Sequence, residues 1–197
     1  MSQLKIPTVP ACIPRRNYGV LRRLASKVLV LNGWTVCGEL PEQPKLILAV
    51  APHTSNWDFF LGIAAMFSLN IKVSFFGKAS IFRWPVKSLL TAIGGIAVDR
   101  SHSHGVVGQI VEEFKRNDKF ILGLAPEGTR SKTLEWKTGF LQIAKQANVS
   151  VVPVSFDFAK KEIRFHPACA ITGEIKQELV EFKQVFSNVC AKNPQAV

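Results

Sequence analysis

The segment VAPHTSNWDFF, residues 50–60, sets His53 and Asp58 close together between two apolar runs. A histidine beside a carboxylate suits acid–base chemistry, metal ligation or helix capping. On a regular helix, five positions separate two side chains by about 140°, at about 100° per residue. The pair would not share a face. A turn leading into a helix brings them together, and Thr54, Ser55 and Asn56 favour turns and caps. Asp58 then accepts from one imidazole nitrogen and fixes the tautomer, while the other nitrogen takes a proton. The plainer alternative is that Asp58 or Ser55 caps a helix and His53 is an ordinary loop histidine. A base needs a nucleophile. No serine stands in a G-x-S-x-G elbow and no cysteine is near in sequence, so a substrate hydroxyl fits better than a covalent acyl-enzyme.

A second cluster lies in APEGTRSKTLEWKTGF, residues 125–140. Gly128 permits a sharp turn. Arg130 offers a planar fork suited to phosphate. Lys132 and Lys137 add charge, and Glu127 can orient Arg130 or a substrate hydroxyl. Arg100 closes a third stretch, GGIAVDR, directly after Asp99. Taken singly, each also reads as a solvated surface loop.

The elements that position these residues follow from apolar periodicity. KLILAVA (45–51) and KFILGLA (119–125) are continuous apolar runs, as in buried parallel strands. Strands are also expected at 71–77, from 95 into a loop by 100, at 151–158 and at 162–168. Helices are expected at 16–32, 57–69, 84–92, 104–116, 138–148 and in the tail from Glu174. Alternating strands and helices imply an α/β fold with a mostly parallel central sheet flanked by helices. In such sheets, sites gather at the loops after the strands' C-terminal ends. The loops carrying His53, Arg100 and the 126–131 segment would then meet on one edge. Residues 1–44 form an extended segment and a basic amphipathic helix, in which Val20, Leu21, Leu24, Val28 and Leu31 recur at helical spacing. That helix either packs on the domain or lies on anionic lipid. Residues 45–197 form the single globular unit.

Composition narrows the partners. Lys and Arg number 25 against 14 Asp and Glu, a formal charge of +11. The excess points to an anionic partner: nucleic acid, phospholipid surface or phosphorylated substrate. No aromatic–basic array or helix-turn-helix pattern supports nucleic acid. Cys12, Cys37, Cys169 and Cys190 form no C-x-x-C pair, which disfavours zinc and fits a reducing compartment. The N-terminal residues carry prolines and charges where a signal peptide needs an apolar stretch, and FFLGIAAMFSL (59–69) is shorter than the roughly 20 residues of a membrane span.

In combination, HTSNWD, GGIAVDR, PEGTRS and the strand VVPVS resemble the four-motif pattern of the glycerolipid acyltransferases, which include the 1-acylglycerol-3-phosphate acyltransferases. The resemblance covers roughly residues 45–160, and the chain looks like a small bacterial member. It implies transfer of a fatty acyl group from acyl-CoA or acyl-carrier protein, as donor substrate and with no cofactor or metal, to a lysophospholipid hydroxyl. It implies His53 as general base and Asp58 as its partner. Glu127, Gly128, Thr129 and Arg130 resemble the acceptor-phosphate motif, Arg100 a second phosphate contact, and Pro153 a structural position or one lining the acyl site. WKTG (136–139), which contains Lys137, resembles a Phe-Lys-x-Gly stretch of relatives. Pro52, Ala97 and Ala125 depart from the residues usual in the family, which bears on the acceptor. The expected setting is cytoplasmic, peripherally bound to an anionic membrane surface. A thioester or lipid hydrolase using the same pair, and a non-catalytic anionic-lipid-binding protein, are the rival readings.

Overall fold

A computed structural model describes residues 6–98, 105–129, 131–133 and 135–196. The chain runs through α1 (Val20–Leu31), β1 (Thr35–Gly38), β2 (Lys45–Ala51), α2 (Asn56–Leu69), β3 (Ser74–Lys78) and α3 (Val86–Ala92). It continues through β4 (Gly95–Val98), α4 (Gly105–Arg116), β5 (Phe120–Leu124), α5 (Gly139–Ala147), β6 (Ser150–Asp157), β7 (Glu162–Phe165) and α6 (Ile175–Gln184).

Among the described residues, seven strands form one sheet in the order β1-β7-β6-β2-β5-β3-β4. Every neighbouring pair is parallel except β6 and β7. The sheet separates two cores, which explains the unbroken apolar run of β2. Leu46 and Leu48 enter one core with Leu29, Ala65, Met66 and Leu69 from α1 and α2. Ile47, Ala49 and Ala51 enter the other with Phe114, Phe140, Leu141 and Phe182 from α4, α5 and α6. This is the expected α/β architecture. The C-terminal ends of β2 and β5, hydrogen-bonded neighbours, lie on one edge of the sheet.

The sequence reading differs from the structure in instructive places. It left out β1, whose four residues, TVCG, are too short to carry a period. β1 is held by its partner instead, with Val36 opposite Ile163 and Cys37 opposite Arg164. β7 ends at Phe165 rather than 168, and β3 begins at Ser74 rather than 71. The antiparallel turn from β6 into β7 is set by Asp157, whose Oδ1 accepts from the Ala159 and Lys160 N–H groups, each at 3.0 Å. The double glycine of GGIAVDR also finds a reason. Gly94 sits at φ +102°, and a Cβ there would lie 2.1 Å from the Val73 carbonyl oxygen.

α1 is turned about its axis relative to the simplest packing. It buries Ala25 and Leu29, while Val20, Leu21, Leu24, Val28 and Leu31 face outward, Leu31 at 84% exposure. α3 buries none of its residues. Trp84, just before it, is 90% exposed.

Candidate active site

The segment between β2 and α2 folds because its polar groups satisfy one another. Ser55 is the N-cap of α2, and its Oγ accepts from the Trp57 N–H at 3.1 Å. Asp58 answers from the first turn. Its Oδ2 accepts from the Ser55 N–H at 2.7 Å and the Thr54 N–H at 2.8 Å. This reciprocal arrangement is a capping box, and it occupies helix-end donors that would otherwise lack partners. The same Oδ2 lies 3.3 Å from His53 Nδ1, with the Asp58 side chain wholly buried. One carboxylate therefore both caps α2 and lies against the His53 ring.

Glu127 reaches this segment from the loop after β5. Its Oε1 accepts the His53 backbone N–H at 2.9 Å. Glu127 is 8% exposed, and its Oε2 is buried without a hydrogen-bond partner among the described residues. Burial pushes its carboxyl above the ordinary glutamate range, against the opposing pull of the His53 N–H. Gly128 takes φ +65°, and a Cβ there would press on the Lys137 side chain, Cγ at 3.3 Å. The Lys137 N–H donates to the Pro126 carbonyl at 2.8 Å, so this lysine is drawn over the turn.

A small pocket joins these pieces. Pro52, His53, Thr54, Glu127, Thr129 and Ser131 line it, with Trp136 and Phe186 as an aromatic wall. The wall is braced by ring contacts among Trp136, Phe182 and Phe186. The structure thus brings His53, Asp58, Glu127, Gly128, Thr129 and Lys137 together. Arg100 and Arg130 lie outside the described residues, as does Asp99. Pro153 sits within β6 opposite Ala49, a central position where its missing N–H costs a ladder bond.

Two features had no sequence signal. Phe186 comes from the tail beyond α6 and joins the pocket by packing against Trp136 and Phe182. Asn193 contacts Thr54 with its backbone N–H and side chain, across a separation no local pattern reveals. The backbone donors near the pair are also mostly committed: those of residues 53, 54, 55, 57 and 128 already bond within the protein. Among the described residues, no group of three or more His, Cys, Asp or Glu is placed to hold a metal ion.

No curated protein matches the sequence. Among solved structures, the fold is similar to the crystal structure of the 1-acyl-sn-glycerophosphate (LPA) acyltransferase PlsC from Thermotoga maritima. The TM-score is 0.55 at 18% identity, covering 87% of this chain and 80% of that one. A family model described as Acyltransferase matches residues 36–157, more than half of the chain and all three of its polar loops. With a histidine–aspartate pair at the mouth of a parallel sheet and a glycine turn across the pocket from it, this chain belongs to the acyltransferase family.

Proposed function

We propose that the protein transfers a fatty acyl group from an acyl-CoA or acyl-carrier-protein thioester to a hydroxyl of a lysophospholipid such as 1-acylglycerol-3-phosphate. The observation that carries this reading is the approach of His53 Nδ1 to the buried Asp58 Oδ2 at 3.3 Å, on the wall of the Glu127 pocket.

The chemistry then runs as follows. His53 Nε2 takes the proton of the acceptor hydroxyl as its oxygen bonds to the thioester carbonyl carbon. The buried Asp58 carboxylate stabilises the imidazolium that forms. The carbon–sulfur bond breaks, the imidazolium returns its proton to the departing thiolate, and an ester and a thiol remain. Glu127 Oε2 is suited to hold a polyol hydroxyl near His53. Thr129 and Lys137 are suited to the phosphate-binding side, and the motif resemblance assigns Arg130 and Arg100 to the same phosphate; holding it fixes the reacting hydroxyl and so lowers the barrier by positioning. The turn at Gly128 admits the phosphate close to the backbone.

Peripheral attachment to an anionic membrane belongs to the same proposal. No helix among the described residues is long and apolar enough to cross a membrane. The outward Val20, Leu24 and Leu31 of α1 support an interfacial position, with exposed Arg23 and Lys27 on the same helix. Exposed Trp57 and Phe60 begin one turn from the catalytic loop, so a lipid acceptor would arrive beside the base.

The test is thiol release from a long-chain acyl-CoA and from acyl-carrier protein by wild type and His53→Ala. Each is assayed with and without lysophosphatidic acid in mixed micelles. Acceptor-dependent release, lost in the variant, is the expected result. Release that needs His53 and ignores the acceptor would replace the transferase with a hydrolase.

A further inference from the structure

The segment after α6 crosses back over the catalytic loop and is anchored before it arrives. Phe158, just after β6, donates its N–H to the Cys190 carbonyl at 2.8 Å. Ala191 is buried. Lys192 Nζ stands 5.5 Å from the centre of the Phe158 ring. Asn193 then grips Thr54 twice. Its backbone N–H donates to Thr54 Oγ1 at 3.1 Å, and its Nδ2 donates to the Thr54 carbonyl at 3.0 Å.

The second bond falls on a particular peptide unit. The Thr54 carbonyl and the Ser55 N–H belong to one planar group. At one pole, the Ser55 N–H donates to Asp58 Oδ2 at 2.7 Å. At the other, the carbonyl accepts from Asn193. A rigid plane held at both poles does not rotate. Released at the carbonyl, it turns the Ser55 N–H away from the oxygen that faces His53 Nδ1. Asp58 then loses a donor that fixes its orientation.

We propose that Asn193 is a positioning residue for the His53–Asp58 pair. It acts through the Thr54–Ser55 peptide, and residues 190–193 form a strap that completes the base. The kinetic consequence rests on the acyltransferase reading, whereas the structural consequence does not.

Two measurements separate these parts. Asn193→Ala and Asn193→Leu each remove the Nδ2 donor, and leucine keeps the bulk. Gln195→Ala is the control on the same turn. The first readout is the pH titration of the His53 ring by proton NMR, with its signals assigned by comparison with His53→Gln. The midpoint and the limiting chemical shifts should move in both Asn193 variants and stay fixed in Gln195→Ala. The second is steady-state transfer. Here kcat should fall about tenfold to a hundredfold, with the acceptor KM within about twofold, since displaced catalytic groups slow the chemistry more than binding. Circular dichroism should report an unchanged fold. A His53 titration unaltered in both Asn193 variants overturns the proposal, whatever happens to activity. A His53 titration that moves in the Asn193 variants while the wild-type protein transfers no acyl group would leave the strap standing and sink the transferase reading.

Discussion

Asp58 meets both the start of α2 and the His53 ring with one carboxylate, and substitution can separate the two contacts. His53 is held in the loop by its backbone N–H, which survives a change to alanine. His53→Ala should therefore lower kcat by roughly 10²–10⁴-fold and leave the melting temperature within a few degrees. Asp58→Ala should lose as much activity and also unfold more easily. It removes an N-cap partner, worth about 0.5–2 kcal/mol, and strips the acceptor from the Thr54 and Ser55 N–H groups. Urea titration of both variants measures the contrast. Glu127 gives a prediction of a different kind. Its folded-state carboxyl holds its proton to higher pH than the unfolded chain does. That adds stability below the unfolded value, and the contribution is lost as pH rises through the folded value. Glu127→Gln carries no such charge and still accepts from His53. Its melting temperature should gain on wild type as pH rises beyond the ordinary glutamate range, while acyl transfer falls. A gap that stays constant with pH would rule this account out.

Among the elements, legibility followed burial. β2, β5 and β6 are apolar on both faces because helices cover both sides, so continuous runs marked them in the sequence. β1 is short and held by its neighbour, and no local period could mark it. The helix over 16–32 was legible as an element, but its orientation was not. Periodicity shows that Val20, Leu24 and Leu31 share a face and is silent on whether that face meets the protein. The capping box was half visible in Ser55 and Asp58, and the motif order supplied the rest. The glycine pair shows how a motif encodes an element rather than chemistry. Gly94→Ala would force a Cβ against the Val73 carbonyl at an unfavourable φ. It should cost at least about 1–3 kcal/mol by disturbing the start of β4, where the Phe75 N–H meets the Gly94 carbonyl. A fully stable Gly94→Ala protein would show that the strands separate there freely.

For the whole molecule, charge and apolar surface are distributed together. The +11 excess and the outward face of α1 predict binding to vesicles that contain anionic lipid, weakened by salt through screening of exposed charge. Leu24→Asp with Leu31→Asp should abolish co-sedimentation with such vesicles and spare transfer to a short-chain, monomeric acceptor. Loss of both activities together would mean that the helix face packs rather than docks. Asn193 carries another consequence, which concerns the order in which the protein is made. Thr54 is translated before Asn193, its hydrogen-bonding partner 139 residues further along the chain. Domains generally fold as they leave the ribosome, N-terminal parts first. A nascent chain paused before residue 193 would carry His53 and Asp58 with one peptide unfastened. Ribosome-bound intermediates should accordingly be slow catalysts, so that acyl transfer begins with release of the strap from the exit tunnel rather than with appearance of the motif.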